Sequence, residues 1–370
     1  MLLACALAAM GVVTHAAEPA LKTVFEGDFL VGAAVNRRQV EGSAAADVGI
    51  VRRHFNTITP ENAMKWGPLQ PRPGAYAFTE ADRFVAFGEE HGMVLIGHTL
   101  VWHQQTPRWV FEDGEGGPAS RELLLERMRD HIHTVVGRYR GRIRGWDVVN
   151  EALNDDGTMR QSPWFNLVGE DYLVKAFEFA READPEAELY YNDYSLEGPR
   201  KRAGAVRLLR QLLDAGAKVT AVGLQGHYSL EHPSARQIEE TLEAFIALGL
   251  RVMITELDVN VLPTPWGGGA DVSVRLAADA KWNPYTDGLP ADVERRLADR
   301  YAELFGIFLN HRHSLSRVTF WGVTDASSWL NNFPIRGRTN YPLLFGRDGR
   351  PKPAFEAVVA LGRTSAPGSE

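Results

Sequence analysis

The chain has 370 residues, 45% hydrophobic and 24% charged, an ordinary globular composition long enough for two average domains or one large barrel. A formal net charge of −7 argues against nucleic acid as a partner, because affinity for a polyanion comes from clustered Lys and Arg. The single cysteine, Cys5, excludes a disulfide within the chain and a thiolate-rich metal site.

Met1 to Ala17 is an apolar, small-residue stretch ending in Thr14-His15-Ala16-Ala17, which reads as a signal peptide, although no Lys or Arg precedes its apolar run. It is too short for a spanning helix with flanking anchors, so the processed protein is expected to be secreted or periplasmic and free of the membrane. Residues 18–361 are then expected to form one folded domain, and 362–370 read as a disordered tail.

Eight apolar runs of strand length follow in order: Phe29 to Val35, Thr57 to Thr59, Val94 to His98, Gly145 to Val149, Leu189 to Asn192, Ala221 to Gln225, Val252 to Thr255 and Val318 to Val323. Between them lie segments of helical period, for example Leu123, Met128, Ile132 and Val135. Eight strand–helix units predict one α/β domain, a (β/α)₈ TIM barrel, with a doubly wound open sheet as the alternative. The surplus length sits in Gln104 to Ala119 and Pro263 to Pro290, two long connections expected as extended loops at the C-terminal face.

In such a barrel the reacting groups close the strands, and here the closings are rich in chemistry. The second run leads into Glu61-Asn62 and Lys65, and the third into His98 and Trp102. The fourth ends in Asn150-Glu151, the fifth in Asn192-Asp193 and the sixth in Gln225-Gly226-His227. The seventh leads into Glu256-Leu257-Asp258, and the eighth into Trp321, with Trp329 beyond. Carboxylates, amides, imidazoles and flat rings together suit a sugar, which offers hydroxyls to bond and apolar faces to stack on. Two carboxyls can divide the work of cleaving a glycosidic bond; about 5–5.5 Å apart they would act by retention. At that distance two charges repel by about 3 kcal/mol at an effective dielectric near 20, enough to keep one carboxyl protonated.

The chain resembles glycoside hydrolase family 10, the endo-1,4-β-xylanases, from about Leu30 to Phe355. Seven strings carry the likeness in order: Thr59-Pro60-Glu61-Asn62 with Met64-Lys65-Trp66, Gly97 to His103, Trp146 to Glu151, Tyr191 to Tyr194, Gly223 to His227, Thr255 to Asp258 and Trp321 to Asp325. The resemblance implies that Glu151 is the acid/base and Glu256 the nucleophile. It further implies that Asn150 bonds the sugar 2-hydroxyl and that His227 bridges Glu256 and Asp258. Glu61, Asn62, Lys65, His98 and Gln225 would bind hydroxyls, with Trp102, Trp321 and Trp329 as walls. Xylan or xylo-oligosaccharide is the implied substrate, a monomer the expected state, and no cofactor is expected.

Other readings stay open at this point. A β-1,4-glucanase on the same barrel would use the same Asn-Glu and Glu positions; a non-catalytic glycan-binding protein would be expected to lose one glutamate. His131 with His133 and His311 with His313 invite a metal, but both pairs read as helical, where residues two apart face different ways. Trp66 and Trp146 read as packing residues. Trp266, Trp282 and Tyr285 are candidates for distant subsites.

Overall fold

A computed structural model describes residues 19–264 and 270–365. The expected leader, Trp266 and residues 366–370 lie outside the described residues. The strands are β1 (Leu30–Val35), β2 (Thr57–Pro60), β3 (Val94–Trp102), β4 (Gly145–Asn150), β5 (Glu188–Asp193), β6 (Ala221–Leu224), β7 (His227–Ser229), β8 (Arg251–Asn260) and β9 (Leu315–Phe320). All pairs are parallel. Eight strands close into a ring in the order β1-β2-β3-β4-β5-β6-β8-β9, with β9 pairing back to β1. This is the expected single (β/α)₈ barrel.

The ninth strand, β7, was not anticipated. After β6 the chain bends at Gly226, where φ is +81° and an added Cβ would stand 2.9 Å from Ile254, and then runs beside the outer half of β8. Only glycine takes this bend without strain. Three residues with one buried among them carry no apolar run for the eye to find, yet the bend delivers His227 to the barrel mouth.

Two strands outlast their apolar runs. β3 continues four residues past His98 and β8 five past Thr255, each through a register shift, between His98 and Val101 and between Ile254 and Leu257. Glu256 therefore sits within a strand rather than beyond its end. Bulges of this kind re-aim side chains. Farther along, the ladder sets Trp102 level with Asn150 and Asn150 level with Asn192, so these three side chains share one height.

Two apolar regions hold the barrel. Ile96, Tyr190, Ala221 and Met253 form a small buried cluster on β3, β5, β6 and β8, and a large one lies between sheet and helices. The Arg121–Arg138 helix starts on Ser120, whose hydroxyl accepts from the Leu123 amide, and buries Leu124, Met128, Ile132 and Val135; Leu124 takes the place expected of Leu123. His131 is buried from that helix, stacked on Trp66, whereas His133 pairs with Glu182 at the surface, so the two point apart as expected. His311 and His313 correct the helical reading, since His311 caps the Ala291–Asn310 helix and His313 lies in the turn after it. The last helix runs from Pro353 to Ser365, so the first four residues of the expected disordered tail are helical.

Trp146 is fully buried, as its packing role required, and lies against Gly97 of β3, where an added Cβ would stand 2.1 Å from the indole. A buried indole has no room to retreat. Gly97→Ala is expected to cost roughly 1–3 kcal/mol of stability by overpacking, measured by denaturant unfolding; a cost below about 0.5 kcal/mol would contradict this account of the β3–β4 contact.

Candidate active site

Glu151 follows β4 with φ at +58°, a left-handed conformation that few non-glycine residues adopt. Its amide donates to the Asn192 carbonyl at 2.9 Å, and Arg160 Nε donates to its own carbonyl at 3.2 Å. Trp102 Nε1 donates to Oε2 at 2.8 Å, while Gln225 Nε2 and Asn150 Nδ2 donate to Oε1 at 3.0 and 3.2 Å. Burial pushes this carboxyl up to about 7, with the charge of Asp193 adding to the rise and Glu256 contributing less; the bonds from Gln225 and Trp102 oppose it. The expectation that mutual repulsion would separate the two glutamates is corrected here. Loss of water does most of the work, and Asp193, itself fully buried against Lys201 at 2.9 Å, does more than Glu256.

Glu256 is equally buried and moves the other way. Burial would raise its carboxyl, but the imidazoles of His227 and His98 and the amide of Asn192 outweigh it and hold Glu256 below the usual carboxylate range. Asn192 Nδ2 donates to Glu256 Oε1 and to Asn150 Oδ1, both at 2.9 Å, and its own Oδ1 accepts from Thr255 at 2.6 Å, which fixes the amide's orientation. His227 stands between two acids, Nε2 at 3.3 Å from Glu256 Oε2 and Nδ1 at 3.1 Å from Asp258 Oδ2. The second contact is an ion-pair approach without hydrogen-bond angles. Burial would lower His227, but Asp258 and Glu256 raise it to about 10, so the ring is cationic in neutral water. Trp329 Nε1 donates to Asp258 at 2.7 Å and completes the chain.

All the expected residues except Asp258 line one cleft at the mouth of the barrel. Asp258 lies behind His227 and lines a larger adjoining groove, together with Tyr228, Tyr285 and Trp329. Lys65 is buried, bonds Asn62 Oδ1 at 2.9 Å and stands 5.1 Å above the Trp102 ring. Burial pushes its ammonium down, against the pull of Glu256, Glu61 and Glu151. Asn62 in turn donates to Glu61 at 3.3 Å. His98 is fixed by Asp147 at 2.9 Å and meets Trp321 edge to face at 5.3 Å. Trp102 thus does more than wall the cleft, because its N–H is spent on Glu151.

The sequence places Asn192 and Asp193 at a chemistry-rich strand closing without giving either a role, and it singles out neither Asp147 nor Arg160. Asn192 and Asp193 stood in plain view at a polar strand closing; Arg160 had no such signal. The cleft also holds Gln105, Ala270 and Val272 from the two long loops. Chemically, the arrangement offers a neutral carboxyl and an ionised one side by side in mildly acidic water, among donors fixed before any ligand arrives.

The same pattern extends to known proteins. The family model described as Glycosyl hydrolase family 10 matches residues 20–361. Endo-1,4-beta-xylanase A of Xylanibacter ruminicola is 44% identical over 345 residues, covering 93% of this chain and 94% of its own. Endo-1,4-beta-xylanase B of Paenibacillus barcinonensis is 42% identical, covering 92% and 98%. Among solved structures, a GH10 endoxylanase retrieved from sugarcane soil metagenome superposes with a TM-score of 0.89 at 47% identity, covering 92% of this chain and 99% of that one. An intracellular xylanase from Thermoanaerobacterium saccharolyticum, solved as a mutant with xylotriose, gives 0.81 at 35% identity, covering 92% and 98%. Matched from end to end of its barrel, the chain belongs to glycosyl hydrolase family 10.

Proposed function

We propose that this chain is an endo-1,4-β-xylanase that cleaves internal β-1,4-xylosidic bonds with retention, Glu256 acting as nucleophile and Glu151 as acid/base. The observation that carries the assignment of roles is the opposite surroundings of two buried carboxyls: Glu151 receives only the neutral donors Trp102, Gln225 and Asn150, whereas Glu256 stands 3.3 Å from His227, which Asp258 backs at 3.1 Å. Three relatives at 44, 42 and 41% identity are named endo-1,4-beta-xylanases, which supports xylan over β-1,4-glucan as substrate. A non-catalytic glycan binder would have no use for two carboxyls so differently prepared.

In the first step a Glu256 oxygen attacks the anomeric carbon, the bond from that carbon to the departing sugar's oxygen breaks, and Glu151 gives that oxygen its proton. Glu151, now ionised, then takes a proton from water as the water oxygen attacks the same carbon and displaces Glu256. Asn192 keeps one Glu256 oxygen oriented, and His227 neutralises charge on the other. Asn150, its carbonyl oxygen occupied by Asn192 and Gln225, is turned so that its amide faces the Glu151 side of the cleft, near where a sugar 2-hydroxyl would lie.

A 2-deoxy-2-fluoro-xylobioside with a good leaving group is expected to inactivate the enzyme by esterifying Glu256, read by mass spectrometry of the labelled peptide. A label on another residue would overturn the nucleophile assignment. Glu151→Ala is expected to lower kcat/KM on xylotriose by roughly 10²–10⁴-fold, with little change on 2,4-dinitrophenyl β-xylobioside, whose leaving group needs no proton. Equal losses on both would remove Glu151 from the acid role, and cleavage of cellulose without xylan would sink the substrate reading.

A further inference from the structure

The loop after β8 does not stay on its own side of the barrel. In the ring order, β3 lies diametrically opposite β8 and β4 is three strands away. Even so, Asp271 meets the loops that follow both: Gln104 Nε2 donates to its Oδ1 at 3.1 Å, and Arg160 Nη1 stands 3.5 Å from its Oδ2. Ala270, almost fully buried, and Val272 line the catalytic cleft. By Leu276, whose amide donates to the Pro334 carbonyl at 3.0 Å, the chain has returned to the region after β9. Residues 270–276 are therefore a strap laid across the barrel mouth, with Asp271 at the far side of the crossing.

The residue Asp271 docks on is already committed to Glu151. Arg160 Nε donates to the Glu151 carbonyl at 3.2 Å, and Nη2 donates to the Leu153 carbonyl at 3.2 Å and to the Tyr194 hydroxyl at 2.8 Å. The remaining nitrogen, Nη1, faces Asp271. A non-glycine residue at φ +58° persists only where its surroundings over-determine it. Arg160 is one of the two groups that grip the Glu151 backbone there, the other being the Asn192 carbonyl. Asp271 in its turn is braced by the Ser273 amide and hydroxyl at 3.0 and 2.7 Å, so its carboxylate is oriented before it meets Arg160.

We propose that Asp271 is a positioning residue for proton donation: by latching the strap onto Arg160 it holds the Glu151 backbone in the conformation that aims its carboxyl at the departing sugar. The inference rests on the assignment of Glu151 as acid. It separates two effects that a loop contact would otherwise blur, because a latch that aims the acid affects only substrates that need the acid, whereas a latch that merely covers the cleft affects all of them.

The test uses kcat/KM, which reports on the first chemical step. In Asp271→Ala and Asp271→Asn, kcat/KM on xylotriose is expected to fall at least roughly tenfold, with less than about a twofold change on 2,4-dinitrophenyl β-xylobioside and recovery in Asp271→Glu. The Asn variant keeps the contacts to Gln104 and Ser273 and carries the test should the Ala variant fail to fold. Equal losses on both substrates, or no loss on either, would overturn the proposal. If Glu151→Ala itself fails to distinguish the two leaving groups, the acid assignment has failed and takes this inference with it; if Glu151→Ala distinguishes them and the Asp271 variants do not, only the latch has failed.

Discussion

Removing two carboxyl groups from water at the mouth of one barrel is the constraint on which the rest of the site depends. Either glutamate alone would be driven toward its neutral form by burial, and in the roles proposed above Glu256 has to stay ionised to act as nucleophile. The site therefore has to counter burial at Glu256 and leave it in force at Glu151. It does the first with a cationic ring backed by Asp258 and with the Asn192 amide, and the second by giving Glu151 only neutral donors and a nearby acid, Asp193. The asymmetry lies in the neighbours, since the two residues share type and depth.

Those neighbours come from almost every part of the ring, which is why a closed barrel is needed to assemble them. Asn192 from β5 bonds both Asn150 at the end of β4 and Glu256 on β8; Trp102 at the end of β3 and Gln225 after β6 meet on Glu151. The level register of β3, β4 and β5 sets three of these groups at one height, and the Gly226 bend brings His227 to the fourth side. In the reading proposed here, the strap across the mouth adds a brace from the opposite wall, so that the acid is held by its backbone as well as by its carboxyl.

The architecture and the outline of the site were legible in the chain because they rest on local pattern. Apolar runs ending in Asn150-Glu151 or leading into Glu256-Leu257-Asp258 announce a strand and its chemistry within a few residues. What escaped notice depends on distance in the chain. Nothing near Arg160 says that its guanidinium will grip the carbonyl of Glu151, and nothing near Asp271 says that it will cross the mouth to reach that guanidinium. The cause of the Glu151 shift was misjudged for a related reason: repulsion between two known carboxyls can be reckoned from an assumed distance, whereas burial and the presence of Asp193 are properties of the folded mouth. β7 was invisible because one buried residue flanked by polar ones carries no period.

The central claim, that environment alone has made two like carboxyls unlike, is tested most directly by site-resolved carbon NMR of the side-chain carboxyls in protein labelled at glutamate. The signals would be assigned with Glu151→Gln and Glu256→Gln and followed from acid to neutral pH. The account predicts that Glu151 gives up its proton near pH 7 and that Glu256 is already ionised below the ordinary glutamate range. The reverse order, or two carboxyls titrating together near 4.5, their common starting value, would contradict it.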